Sequence, residues 1–243
     1  SQAFMAIDGY EMRMSHMDTK GRFDYYAINL ALGTKMIKYH FRTVGQYQLY
    51  YNVFGASEHF SEEWEFEFTP GFKTPDWAKG AVMYQIMVDR FNNGDKSNDV
   101  MTNEYAYIGR GVSKVENWME PPAVDGTRQF YGGDLQGVID KLEYLEKLGV
   151  EVIYFNPIFV SPSNHKYDTQ DYDYIDPHFG KIVNDNGKLL EDGDNNNEHA
   201  QRYKVRTTDL ANLEASNKLF IELVEKAHAH GIKIIIDGVF NHC

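Results

Sequence analysis

Three short apolar runs, "AVMYQIMV" (81–88), "VEVIYFNPIF" (150–159) and "IKIIID" (232–237), do most to limit what this chain can fold into. Near-continuous apolar runs of this length are what strands covered on both faces of a parallel sheet look like. Between the first two, Leu135, Val138, Ile139, Leu142, Leu145 and Leu148 recur at helical spacing, with Asp134 placed to cap one helix and Gly149 to stop it. After the second run a long loop is expected to about Asn212, and Leu219, Phe220, Leu223, Val224 and Ala227 then mark a helix closed by Gly231. The order β, α, β, α, β predicts a parallel sheet, doubly wound or closed as a barrel. Asp89-Arg90, Asn156 and Asp237 cluster after the C-terminal ends of the expected strands, where a barrel keeps its site. No GxGxxG or GxxxxGK[ST] follows a strand, which argues against a dinucleotide or P-loop site.

Upstream the grammar changes. From Tyr10 to Phe68 the stretches "DYYAINLAL", "MIKYHFRTV", "QYQLYYNVF" and "EEWEFEF" alternate with a period near two, which predicts an antiparallel β module with a hairpin turn at "TVGQ". "TPGFKTPDW" (69–77) reads as a linker, so the domains are expected at 1–75 and 76–243. With 42% hydrophobic and 14% aromatic residues both parts must be globular, and no run of eighteen apolar residues offers a membrane-spanning segment. A net charge of -12 repels phosphate backbones and anionic lipid, which argues against nucleic acid and membrane surfaces and favours neutral or cationic ligands. The single cysteine, Cys243, cannot pair within the chain, which leaves the compartment open.

Taken together and in order, "YQIMVDRF", "GGDLQGVIDKLEYLEKLGVEVIYFNPIF", "HKYDTQDYDYIDPHFG" and "GIKIIIDGVFNH" closely resemble the α-amylase family, glycoside hydrolase family 13. Within it the neopullulanase, cyclomaltodextrinase and amylopullulanase branches are most similar. The likeness spans Gly80 onward apart from an insertion near 181–211, and "GRFDYYAINL…MIKYHFRTVGQYQLYYNVFG" resembles the later part of the β-sandwich that precedes the barrel in those branches. It implies a multidomain α and β chain: a partial N-terminal antiparallel β-sandwich, then the first part of a TIM (β/α)8 barrel ending after strand three. "DGVFNH" matches the family's first signature region, so the sequence is expected to be a piece of a longer enzyme, since three βα units cannot close an eight-stranded barrel.

The resemblance further implies an α-glucan hydrolase that acts on starch-like oligosaccharides or polysaccharides, pullulan or cyclodextrins with retention. Retention needs a carboxylate nucleophile and a carboxylic acid across the scissile bond. The family carries these after strands four and five, so both are expected beyond Cys243 and the fragment should not catalyse. What it should carry is part of the sugar shell: Tyr167 as the aromatic platform on which a ring stacks, His242 as a hydrogen-bond partner of the sugar, and His165 as a lesser neighbour. Asp237, Asp168 and Asp171 are expected to brace that site.

Asn93, Asp95, Asn98 and Asp99 set four hard oxygen side chains on a turn-forming loop. This suits Ca2+, and the matching loop of the neopullulanase-like branch binds calcium together with the "GGD" motif, here Gly132 and Asp134. "EDGDNNNE" (191–198) lacks the EF-hand glycine and distal glutamate and reads as a solvated insertion. Trp64 and the tyrosines of the first domain read as core filling rather than a glucan platform. A homodimer is compatible with the resemblance, and a non-catalytic glucan-binding or structural relative is the alternative function.

Overall fold

The computed structural model describes residues 1–124 and 126–242, so Cys243 lies outside the described residues. Two compact units emerge, Ser1–Lys79 and Gly80–Cys243.

In the first unit, eight strands follow one another: β1 (Gln2–Ile7), β2 (Tyr10–Arg13), β3 (Ser15–Lys20), β4 (Phe23–Ala27), β5 (Ile37–Val44), β6 (Gln48–Asn52), β7 (Gly55–Ser57) and β8 (Phe66–Phe68). All pair antiparallel, in a six-stranded sheet ordered β2-β1-β5-β6-β7 with β8 also on β5, and in a separate β3-β4 hairpin. The "TVGQ" turn joins β5 to β6, Gly45 N–H donating to Tyr47 O at 3.1 Å. The period of two shows most clearly in β5. Ile37, Tyr39 and Phe41 join Met5 and Ile7 in the apolar cluster, while Lys38, His40 and Arg42 alternate onto the other face. Trp64, in a 3-10 turn, meets Phe54 edge to face with centroids 5.8 Å apart.

The second unit opens with β9 (Met83–Ile86), then four two-residue strands in the long loop: β10 (Ala106–Tyr107), β11 (Arg110–Gly111), β12 (Ser113–Lys114) and β13 (Gln129–Phe130). There follow α1 (Leu135–Ile139), α2 (Leu142–Lys147), β14 (Val152–Phe155), β15 (Phe159–Val160), β16 (Asp171–Ile175), α3 (Gln201–Thr208), α4 (Leu210–Ala229) and β17 (Lys233–Ile236). The sheet β17-β14-β9 is parallel, with Phe155 level with Ile86 on one side and Ile236 on the other. Its core combines Ile86, Ile153 and Phe155 of the strands with Leu135, Leu142, Leu145 and Leu223 of the helices.

Three expectations are corrected. The helix over 135–148 is two helices, with Lys141 N–H reaching back only to Val138 O at 3.0 Å; Gly137 weakens the first of them, yet Leu135, Val138, Leu142 and Leu145 all keep their inward positions. The loop expected up to Asn212 contains α3 and the start of α4, because "QRYKVRTT" buries Arg206 and Thr207 and so shows no apolar period. Of the three strands expected to be covered on both faces only β14 is, since β9 and β17 form the sheet edges and stay partly exposed.

Candidate active site

Tyr167 and Asp237, 70 residues apart in sequence, meet at the C-terminal end of the sheet, where the Tyr167 hydroxyl donates to Asp237 Oδ2 at 2.8 Å. Asp237 stands there because β17 ends one residue earlier and its own N–H continues the ladder to Phe155 O at 3.2 Å. Burial and the Asp237 carboxylate together push the Tyr167 phenol up to about 12. Tyr167 is half-buried, so part of the side chain remains accessible beside the Asp237 carboxylate.

The loop that carries Tyr167 is tied down by its own polar residues. Asp168 accepts a hydrogen bond from Ser161 Oγ at 2.6 Å and a very short one from Ser163 Oγ. These hydroxyls outweigh the upward effect of burial and hold the Asp168 carboxyl below its usual range. The Tyr167 N–H donates to His165 Nδ1 at 3.1 Å, which makes that nitrogen an acceptor and the ring neutral. Burial lowers the His165 pKa in the same sense. Among the described residues Asp171 accepts from Asp173 N–H, at 2.8 Å, and so turns the start of β16. His242 is exposed, and among the described residues no hydrogen bond, ion pair or ring contact joins it to Tyr167 or Asp237.

The oxygen-rich loop lies elsewhere in the unit. Asn93 Nδ2 donates to Asp99 Oδ1 at 2.7 Å and Asn98 Nδ2 to Gly180 O at 3.0 Å. Their carbonyl oxygens, Asn93 Oδ1 and Asn98 Oδ1, are buried without a donor, and so is Asp99 Oδ2. Lys114 Nζ stands 2.8 Å from that last oxygen as its ion-pair partner. Gly132, at φ 81°, closes the cradle, because a Cβ there would sit 2.3 Å from Asp99 Oδ1. Two buried carbonyl oxygens without a donor, beside a carboxylate already paired with Lys114, are the hard donors this loop offers a cation.

Asp134 and Asp95 are committed differently. Asp134 caps α1 through Gly137 N–H at 2.5 Å and also accepts Asp95 N–H at 2.8 Å, and burial raises its pKa in spite of these donors. Asp95 accepts Ser97 N–H at 3.0 Å. The 191–198 stretch is fastened by Asn197, which exchanges hydrogen bonds with Ala106 N–H at 2.7 Å and Ala106 O at 2.9 Å.

A feature without a sequence signature joins these regions. Lys166 Nζ donates to Asp176 Oδ2 at 2.6 Å; Asp176 Oδ1 meets His178 Nδ1 at 2.9 Å; His178 Nε2 meets Glu104 Oε1 at 2.7 Å; and Arg206 donates to Glu104 Oε2 and to Asp99 O, both at 2.8 Å. All five side chains are buried. Asp and His within "YIDPHFG" were the visible hint, but Glu104 lies 74 residues from His178 and 102 from Arg206, too far for any local pattern.

A profile described as Alpha amylase, catalytic domain matches residues 85–197. The chain is 39% identical over 235 residues to the cyclomaltodextrinase of Thermoanaerobacter pseudethanolicus, covering 93% of this chain and 32% of that protein. It is 40% identical over 229 residues to neopullulanase 2 of Thermoactinomyces vulgaris, covering 91% and 31%. The chain thus spans about a third of the length of these curated relatives. Among solved structures it is similar to the type III pullulan hydrolase from Thermococcus kodakarensis, with a TM-score of 0.54 at 27% identity, covering 100% of this chain and 37% of that one. A cyclomaltodextrinase structure follows with a TM-score of 0.51 at 27% identity, covering 99% and 36%.

Proposed function

Because the chain belongs to the α-amylase family, we propose that it forms the opening part of an α-glucan hydrolase of the cyclomaltodextrinase, neopullulanase or amylopullulanase type. In this reading the three parallel strands begin a (β/α)8 barrel and the first unit is a partial β-sandwich. The observation that carries it is the Tyr167–Asp237 pair at the C-terminal end of the sheet. An aromatic face packs well on the C–H surface of a sugar ring and favours positive charge developing above it. Asp237 fixes the plane of that face, while the Asp168 brace and the neutral His165 hold the loop behind it. His242, exposed beyond the end of β17 and among the described residues not joined to the pair, is assigned to the shell on its motif. The nucleophile and acid/base of the retaining reaction belong to the part of the enzyme that follows, so this chain binds and orients the sugar without cleaving it.

Residues 1–243 alone should therefore release no reducing sugar from starch, pullulan or cyclodextrin, whereas the full gene product should. In the full product Tyr167→Ala should lower kcat/KM about tenfold to a thousandfold, equal to roughly 1.4 to 4 kcal/mol of transition-state stabilisation, with little change in melting temperature. Turnover by the isolated chain would mean the site is misplaced. Wild-type kinetics in the variant would remove Tyr167 from it, and an inert full product would make the protein a non-catalytic relative.

We also propose Ca2+ in the oxygen-rich loop, held by Asn93, Asn98, Asp99 and the Gly132 carbonyl, with Asp95 and Asp134 shaping the loop through its N–H groups. The ion would supply fixed positive charge that ties the loop together, a structural part rather than a reacting one. Calcium should raise the melting temperature of the chain by mass action, and Asp99→Ala should abolish the rise. Asp134→Ala should lower the starting stability by roughly 1 to 2 kcal/mol through the lost cap, whether or not calcium is present. An equal calcium response in wild type and Asp99→Ala would remove the site.

A further inference from the structure

Lys166 is completely buried, and its backbone lies in the left-handed region at φ 61°. For a residue with a Cβ such a conformation costs on the order of 1–3 kcal/mol and persists only where the surroundings over-determine it. A buried ammonium adds its own cost unless every donor finds a partner. A turn that needed only this backbone geometry would be served better by glycine. The lysine side chain must therefore do something that glycine cannot.

Its contacts show what that is. The backbone N–H donates to Ser163 Oγ at 2.9 Å and the carbonyl accepts from Thr169 Oγ1 at 3.2 Å. The ammonium donates to Ser161 O at 2.7 Å and to Asp176 Oδ2 at 2.6 Å, and it lies 4.8 Å from the centre of the Phe179 ring. Asp176 in turn accepts Ser161 N–H at 3.0 Å and is held by His178. Residue 166 is thus pinned from beneath to a part of the loop that cannot move without breaking the buried charge chain. On either side of it stand His165 and Tyr167, whose rings approach each other with centroids 5.9 Å apart.

We propose that Lys166 is a positioning residue: its buried ammonium fastens the backbone between His165 and Tyr167 so that the Tyr167 ring is held against Asp237 before any sugar arrives. The purpose of this arrangement rests on the sugar-shell reading of Tyr167, but the fastening itself does not. A lysine that merely fills the core would make the ion pair and leave the ring indifferent to it.

The test uses the chain with 13C-labelled tyrosine, the Tyr167 signal being assigned by its loss in Tyr167→Phe. In the wild type the Tyr167 phenol, raised to about 12, stays protonated at pH 10. In Lys166→Met, and in Lys166→Gly, which keeps the left-handed turn and loses the anchor, Tyr167 should be about half ionised at pH 10, the ordinary tyrosine range. Since Lys166→Met leaves Asp176 short of a partner, the double variant Lys166→Met/Asp176→Asn, neutral at both positions, is measured beside it. A Tyr167 that stays protonated at pH 10 in any of these folded variants overturns the proposal, and so does failure of all three to fold, since the pair would then serve the core alone. Maltotetraose binding is followed separately and should weaken at least tenfold in the folded variants. If the wild type binds none, the sugar reading falls, while the ring-positioning result still stands or falls by the titration.

Discussion

The two units handle charge in opposite ways. On the polar face of β5, Lys38, His40 and Arg42 each face a carboxylate across the sheet, Glu67 at 3.5 Å, Glu65 at 2.8 Å and Glu11 at 2.5 Å, and the two outer pairs reach water. In the second unit Lys166, Asp176, His178, Glu104 and Arg206 form one chain in which no side chain is more than 3% exposed. Pairs in water can re-form with solvent when one partner leaves, whereas a buried chain strands the charges on either side of any gap. The first arrangement tolerates change and fixes little. The second ties two loop segments, around residues 99–104 and 161–178, to helix α3, and those segments carry Tyr167 of the candidate sugar site and Asp99 of the candidate cation site.

The contrast breaks most readily at Glu104, whose two oxygens hold His178 and Arg206. Glu104→Ala leaves both cations buried without that partner and should cost on the order of 3–5 kcal/mol in the unfolding of the second unit. The denaturant midpoint of that unit is the measurement. A loss below about 1 kcal/mol would place the buried chain in the same class as the surface pairs of the first unit.

A pH series sharpens the comparison at intermediate size. Burial would lower the His178 pKa, but Glu104 and Asp176 outweigh it and leave the group raised. Its contribution to stability is therefore complete below the ordinary histidine value near 6.5 and fades as the pH climbs through the raised value. Burial would raise the carboxyls, but His178 and Arg206 lower Glu104, and Lys166 and His178 lower Asp176. Their contributions are complete above the ordinary carboxylate range near 4 and fade as the pH falls through the lowered values. The second unit should be most stable between about pH 4.5 and 6.5 as far as this chain of charges governs it. His165, lowered by burial, works the other way and favours unfolding below the ordinary value. Measured against His178→Gln, the wild-type advantage should shrink as the pH rises above about 6.5. An advantage that stays flat from pH 6 to 9 would mean that His178 is neutral in the folded chain.

What could be read from the sequence follows the same division between local and distant. The order of strands and helices was legible because β14 is a continuous apolar run and the apolar residues of α4 recur at helical spacing. The Asp134 cap was legible because a cap lies beside the helix it serves, and it formed as expected with Gly137. The positions of Tyr167 and Asp237 were legible from their motifs, although nothing local said that they touch. Helix α3 was hidden, since what it buries is Arg206 and Thr207 rather than an apolar stripe. Lys166 carries no signal inside "HKYDT", because a lysine beside a histidine reads as surface. Its partners Ser161 and Asp176, five and ten residues away, and its left-handed backbone reveal a buried anchor.

The smallest effect belongs to the first unit. Arg42 reaches Glu11 with two hydrogen bonds, from Nε at 2.6 Å and from Nη2 at 2.5 Å, and its guanidinium lies 4.6 Å from the centre of the Phe4 ring. The bond from Arg42 holds the Glu11 carboxyl below its usual range, yet 37% of the Glu11 side chain is exposed, so solvent screening must discount that shift. Glu11→Gln should therefore cost about 0.2–1 kcal/mol in the unfolding of the first unit, and the difference should fall as salt is raised from 0.05 to about 0.5 M. Lys38 and Glu67, more open still, should show less. A cost above about 2 kcal/mol that ignores salt would mean the polar face of β5 is covered in the folded protein, and the line drawn between the two units would have to move.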